Sequence, residues 1–143
     1  MLEDHFREYH QAQAKGSGAD TASLSGVEFE TYIARILKQL GFDVRGTPVT
    51  GDQGADLIAE RDGKKVIIQA KRYEGTVGNK AVQEVIGALG FYARDEGWVV
   101  TNSTFTASAK ALAQKTNIKL IDGPRLAAME RQSQAPRDDK RPS

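Results

Sequence analysis

The stretch DLIAERDGKKVIIQAK, residues 56–71, carries the clearest structural pattern of this 143-residue chain. Two strand-like runs, 55–61 and 64–71, flank Asp62-Gly63, a dipeptide that is typical of a two-residue hairpin turn. If Arg61 pairs with Lys64, the register places Asp56 opposite Gln69, with Lys71 as a diagonal neighbour on the same face. The hairpin therefore predicts that three polar side chains converge at its open end.

Helical and strand patterns continue on both sides of the hairpin. Upstream, residues 25–28 read SGVE and form a capping box ahead of an apolar run at helical spacing that Gly41 ends. A short strand over 42–45 and a loop over 46–54 follow. Downstream, the pattern predicts elements in the order helix, strand, helix, strand; their ranges are 79–94, 98–101, 106–116 and 118–121. This order predicts an α/β sandwich with a mixed sheet.

The patterned region divides the chain into three parts. Residues 1–24 predict a short polar helix and a flexible linker, because 15–20 contain only small and polar residues. Residues 25–126 form the single patterned domain. Residues 127–143 predict a C-terminal tail that is disordered, since its last part lacks large apolar residues.

Composition excludes several classes of chemistry. The chain has no cysteine, which rules out disulfides, a thiolate nucleophile and a thiolate zinc site. The two histidines, His5 and His10, lie near the N-terminus and outside the patterned domain, which argues against a histidine-based triad. No apolar stretch is long enough to cross a bilayer, and the N-terminus does not read as a signal peptide. We therefore expect a cytoplasmic protein without a membrane partner.

The formal charge of +1 hides an uneven distribution. Residues 60–80 hold six Lys or Arg and three acidic residues, whereas residues 1–20 have a net charge of −2. A basic face is what phosphate binding needs, although a solvated surface explains the same charges. The candidate DNA-contacting residues are Arg45, Arg72, Lys80 and Gln83, together with Asp52 as a residue that positions the loop or forms a turn.

The residues predicted to converge at the hairpin suit a hard cation. Mg²⁺ prefers oxygen ligands, which Asp56, the Gln69 side chain and the backbone carbonyl of Ala70 offer. Lys71 is suited to hold the attacking water and to offset charge on phosphorus. Glu30 edges the apolar face of the first helix and is a candidate for a further acid. From these residues alone, a structural hairpin with solvated ends is the alternative.

Six segments, in order, resemble the catalytic domain of Mrr-like restriction endonucleases, a branch of the PD-(D/E)xK nuclease superfamily. The segments are 26–30 (GVEFE), 40–44 (LGFDV), 51–58 (GDQGADLI), 68–72 (IQAKR), 99–102 (VVTN) and 120–123 (LIDG). The resemblance covers about residues 25–126. It implies a restriction-endonuclease-like three-layer sandwich, with a central mixed sheet flanked by helices, and Mg²⁺-dependent hydrolysis of DNA phosphodiesters, with Mn²⁺ as a substitute.

The resemblance also assigns roles to four residues. Asp56 corresponds to the motif aspartate, Gln69 replaces the more usual acid, Lys71 is the motif lysine, and Glu30 is the helical glutamate. It further implies DNA as the partner, a homodimer for double-strand cleavage, and a separate recognition domain or subunit, for which this chain has little room. The alternatives are a non-catalytic nucleic-acid-binding module and a structure-selective nuclease of the junction-resolving kind.

Overall fold

A computed structural model describes residues 24–46, 56–92 and 95–135 of the protein, without the side chains of residues 91 and 92. The predicted N-terminal helix and linker, the predicted loop with Asp52, and residues 136–143 of the predicted tail lie outside these ranges. Within the described ranges, no helix combines the length and the apolar character that a membrane crossing requires.

Five strands of the described ranges form one mixed sheet, in which spatial order follows chain order. They are β1 (Asp43–Gly46), β2 (Leu57–Arg61), β3 (Lys64–Lys71), β4 (Glu96–Thr101) and β5 (Ile118–Ile121). Neighbouring strands are antiparallel from β1 to β3 and parallel from β3 to β5. The predicted mixed sheet is confirmed.

Helices cover both faces of this sheet. The described ranges contain α1 (Gly26–Gln39), α2 (Asn79–Tyr92), α3 (Ala107–Thr116) and α4 (Gly123–Ser133). Apolar residues of α1 and α4 pack with Leu57, Val66 and Ile68 on one face of the sheet. Those of α2 and α3 pack with Val99 and Ile118 on the other. Because side chains alternate along a strand, the two clusters define the three layers that the sequence predicts.

The hairpin forms as predicted. Asp62 and Gly63 have φ angles of 54° and 82°, as a two-residue turn matched to the twist of the strands requires. Arg61 pairs with Lys64, and the same register continues to Leu57, which pairs with Ile68. This register directs the polar end of β3 away from the turn and toward the N-terminus of α1.

The capping box at the start of α1 is also confirmed. The Ser25 hydroxyl accepts from the Glu28 amide at 3.1 Å, and the Glu28 carboxylate accepts from the Ser25 amide at 2.9 Å. Both bonds satisfy amides that the first turn of a helix leaves free. Phe29 and Ile33 are buried against the sheet, which sets the orientation of the helix and of its polar edge.

The C-terminal boundary differs from the prediction. Residues 123–133 form a helix, so the expected tail does not begin at residue 127. Asp122 caps this helix by accepting from the Arg125 amide at 3.0 Å, and Pro124 lies in the first turn, where its missing N–H costs nothing. Leu126 is buried in the core, and Glu130 accepts a 2.6 Å hydrogen bond from the Tyr32 hydroxyl of α1. The segment is thus part of the folded domain.

Candidate active site

Asp56 lies just before β2, where the sheet ladder is offset by one residue. Its amide donates to the Ile68 carbonyl at 2.8 Å, although Ile68 is the partner of Leu57 in the strand register. The predicted position directly opposite Gln69 is therefore corrected by one residue. The Asp56 carboxylate accepts a 2.8 Å hydrogen bond from the Ala70 amide. The offset thus fixes the carboxylate against β3, between Gln69 and Lys71.

Glu30 reaches the same place from α1. Its carboxyl group is half-buried and shares a hydrogen bond with Asp56, in which Glu30 donates. Burial, followed by the negative charge of Asp56, raises the pKa of Glu30 from 4.5 to about 7. The structure therefore brings together the two acids that sequence reasoning proposed, from elements 26 residues apart in the chain.

The environment of Asp56 also raises the pKa of its carboxyl group. Burial raises its pKa, and the Ala70 amide, the Glu30 hydrogen bond and the charge of Lys71 oppose that rise. Two ionised carboxyl groups side by side would repel each other. We therefore expect the two acids to share one proton. A positive charge at this point would replace the proton and allow both groups to ionise.

Gln69 and Lys71 occupy alternate positions near the end of β3 and so belong to the same face of the strand. Gln69 is buried, with 7% of its surface exposed. Lys71 is partly exposed, and its Nζ lies 3.2 Å from Oε1 of Glu84. The ammonium group is therefore held near the acids by a residue of α2.

Sequence reasoning missed Glu84. It is partly buried and lies three residues after Ala81 and four before Ala88, both of which are buried. This is the spacing of an acid at the edge of an apolar helix face. Glu84 therefore has on α2 the same position at the edge of an apolar face that Glu30 has on α1, next to the predicted contact residue Gln83.

The other predicted contact residues that the structure describes are exposed or partly exposed. Arg72 directly follows Lys71 and is partly exposed. Lys80 and Gln83 are exposed on the first half of α2. Arg45 is exposed on the edge strand β1, where it pairs with Ile58. Asp52 falls outside the described ranges.

The candidate metal-ligand atoms at the centre are all oxygen atoms. Residues 24–46, 56–92 and 95–135 hold no group of three or more His, Cys, Asp or Glu side chains that is suited to a metal. Gln69 and the Ala70 carbonyl, the other predicted ligands, lie on the neighbouring strand β3. Hard cations such as Mg²⁺ bind through one or two carboxylates and keep several waters. The residues present therefore fit such an ion.

Comparison with known proteins shows the family and the fold of this chain. A family model described as Mrr_cat, restriction endonuclease, matches residues 21–129. The type IV methyl-directed restriction enzyme EcoKMrr of Escherichia coli K12 is 32% identical over 134 residues, which cover 87% of this chain and 44% of EcoKMrr. This chain spans less than half of the length of the two curated relatives it matches.

Two solved restriction endonucleases share the fold. MspJI, solved in complex with a 27-mer oligonucleotide, is 22% identical with a TM-score of 0.56, and the match covers 94% of this chain and 31% of MspJI. The DNA modification-dependent enzyme AspBHI is 16% identical with a TM-score of 0.59, over 94% of this chain and 36% of AspBHI. The predicted restriction-endonuclease-like fold is confirmed.

Proposed function

This chain belongs to the Mrr_cat restriction endonuclease family, and on that premise we propose that it is a metal-dependent endodeoxyribonuclease that hydrolyses DNA phosphodiester bonds. One observation carries the proposal: the Asp56 carboxylate, which Glu30 contacts, is bonded to the Ala70 amide of β3, one residue before Lys71. This arrangement supports the proposal, because a phosphate at this point would contact both a cation held by the acids and the Lys71 ammonium group.

The acid pair supports the metal requirement. Asp56 and Glu30 would hold Mg²⁺ through carboxylate oxygens, Gln69 through its side-chain carbonyl, and Ala70 through its backbone carbonyl. Mn²⁺ has similar ligand preferences and would substitute. A bound ion of this kind polarises the phosphate and lowers the pKa of water. Because the two acids share a proton in its absence, ion binding would be coupled to proton release.

Lys71 would stabilise the negative charge that develops on the phosphate during the reaction. Its Nζ can donate to the attacking water or to a phosphate oxygen, and it needs no reorganisation because Glu84 already holds it in place. Asp56 contributes a second constraint, since its bond to the Ala70 amide fixes it next to the backbone that carries Lys71. The protein thereby supplies orientation as well as charge.

DNA is the proposed partner. Exposed Lys80 and Arg45, and partly exposed Arg72, would contact phosphates on either side of the centre. MspJI, which has this fold, is described in complex with an oligonucleotide. EcoKMrr is more than twice as long as the matched region, which supports the proposal that a separate domain or subunit selects the sequence or methylation state. Double-strand cleavage would need two such centres, and hence a homodimer.

The test is cleavage of supercoiled plasmid by the purified protein in Mg²⁺ and in Mn²⁺. We expect nicked or linear product that EDTA, Asp56→Ala and Lys71→Ala each remove. Lys65→Ala is the matched control, because Lys65 is an exposed lysine at the opposite end of the same strand. Cleavage at full rate by Asp56→Ala would contradict the site.

A second outcome would identify a different function. If the protein cuts no DNA form with either metal but binds DNA with an affinity that falls with salt, it is a nucleic-acid-binding module. Comparison of linear duplex, single strand and four-way junction would show whether cleavage is selective for DNA structure.

A further inference from the structure

Tyr73 is an exposed aromatic residue directly beside the proposed active site. It lies two residues beyond Lys71, which places the two α-carbons within about 7 Å of each other in an extended chain. Tyr73 is 53% exposed, although most other large apolar side chains of the described ranges are buried. A phenol ring at the rim of a catalytic centre is therefore available to a bound molecule.

The Tyr73 backbone is held by the loop that follows β4. The Tyr73 amide donates a 2.8 Å hydrogen bond to Oδ1 of Asn102. The ring packs against Gly75, where a β-carbon would approach Cε2 of Tyr73 to 3.2 Å. The Gly75 carbonyl in turn accepts a 2.6 Å hydrogen bond from the Ser103 hydroxyl. Both the Tyr73 backbone and Gly75 are thus tied to one neighbouring loop.

That loop is itself anchored to the sheet and to α4. The Thr101 hydroxyl donates to the Lys71 carbonyl at 2.6 Å, which joins the ends of β4 and β3. The Gly123 amide donates to the Ser103 carbonyl at 2.8 Å, and a β-carbon at Gly123 would collide with the Asn102 carbonyl. The Tyr73 backbone is therefore held by a loop at the ends of three parallel strands, and Gly75 lies close to Cε2 of its ring.

The chemistry of the ring restricts what can use it. Bases in a paired duplex are stacked on both faces, so an aromatic side chain outside the helix can stack only on a base that has left the stack. We infer that Tyr73 is a stacking site for an unpaired nucleobase, and that the enzyme prefers DNA in which a nucleotide next to the scissile phosphate is unpaired. This inference rests on the proposed nuclease function and names its substrate class.

The test compares two oligonucleotide duplexes of the same sequence, one fully paired and one with a single unpaired nucleotide at the cleavage position. The measured quantity is the ratio of kcat/KM for the unpaired over the paired substrate, in Mg²⁺. Stacking on an aromatic side chain corresponds to roughly a 5- to 150-fold effect on alanine substitution. We expect this ratio to fall by about that factor in Tyr73→Ala and in Tyr73→Leu, which has a similar bulk but no ring. Tyr73→Phe keeps the ring and should keep the ratio.

Three results would overturn the inference: a wild-type protein without preference for the unpaired substrate, an unchanged ratio in Tyr73→Ala, or a ratio in Tyr73→Leu equal to that of the wild type. The last two would instead indicate packing against a deoxyribose or no DNA contact.

A binding measurement separates this inference from the proposed function. With 2-aminopurine as the unpaired base, stacking on Tyr73 quenches its fluorescence in the presence of EDTA, where no cleavage occurs. If the wild type cuts no DNA, the proposed function fails, but quenching that Tyr73→Leu loses and Tyr73→Phe keeps would still support the stacking site. Equal fluorescence in all three proteins would overturn it.

Discussion

Glu30 of α1 and Asp56, just before β2, share a hydrogen bond, in which the glutamic acid donates and the aspartate accepts. Asp56 also accepts from the Ala70 amide, so that a single side chain connects the first helix to the strand that carries Lys71. A half-buried pair of acids is unfavourable when both are ionised, and folding alone gives no reason to keep one. A bound cation, as in the proposed function, would make this arrangement favourable.

The acid pair predicts how stability depends on pH without metal. Because the folded-state pKa of Glu30 is raised to about 7, its contribution is present in full below pH 4.5 and is lost as the pH rises through 7. In EDTA, the free energy of unfolding should therefore decrease between pH 5 and pH 8, by about 1–2 kcal/mol after allowance for the partial exposure of Glu30. Urea unfolding at a series of pH values measures this change.

Glu30→Gln is the variant that isolates this effect. Glutamine keeps the shape and can still donate to Asp56, but it does not titrate, so the slope of stability against pH should be smaller. A slope identical to that of the wild type would show that Glu30 is not the titrating group. Part of the slope should remain, because burial also raises the pKa of Asp56.

Glu84 is predicted to act as a positioning residue for Lys71. Glu84→Gln removes the charge that lies 3.2 Å from Nζ, and small misplacement of a catalytic group costs about 10- to 100-fold in rate. We expect kcat to fall by this factor while KM for DNA changes less, and Glu84→Asp to recover part of the loss. Single-turnover cleavage of plasmid DNA measures the effect.

A second ion pair, at the other end of β3, provides a matched control. Glu96 lies 3.9 Å from Lys64, near the hairpin and away from the acid pair. Glu96→Gln should leave the cleavage rate unchanged. Equal losses in Glu84→Gln and Glu96→Gln would indicate a general electrostatic effect and would remove the specific role of Glu84.

The hairpin explains why so much of this site was predictable from the sequence. Asp62-Gly63 sets the register of β2 against β3, and this register brings Asp56 to β3 near Gln69 and Lys71. The offset at Asp56 was not predictable, because it depends on a hydrogen bond to Ile68 in three dimensions. The helix after Asp122 was missed because residues 127–143 were predicted as a tail from the lack of large apolar residues in their last part. Asp122 is nevertheless a helix cap, and Pro124 suits a first helical turn.

Two glycine substitutions should change stability in opposite directions. Gly63 has a φ of 82°, where a residue with a β-carbon is strained, so Gly63→Ala should lower the free energy of unfolding by about 1–2 kcal/mol. Gly87 lies in α2 with open space around its β-carbon position, so Gly87→Ala should raise it by about 0.5–1 kcal/mol. Urea unfolding measures both, and a gain in stability for Gly63→Ala would contradict the turn.

Gln69→Glu tests the cation site through the residue that replaces the more usual acid. The new carboxylate would be buried beside Asp56 and Glu30, so without metal we expect a lower melting temperature than that of the wild type. With Mg²⁺ the third charge should bind the ion more tightly, on the order of tenfold, since cation affinity increases with the number of charged ligands. The shift of melting temperature across a Mg²⁺ titration measures both effects without any need for cleavage.

Gln83→Glu makes the same substitution at an exposed position of α2 and should leave the titration unchanged. If Gln69→Glu loses stability in EDTA but gains nothing from Mg²⁺, Gln69 does not face the ion, and the cation would have to be held by Glu30 and Asp56 without it.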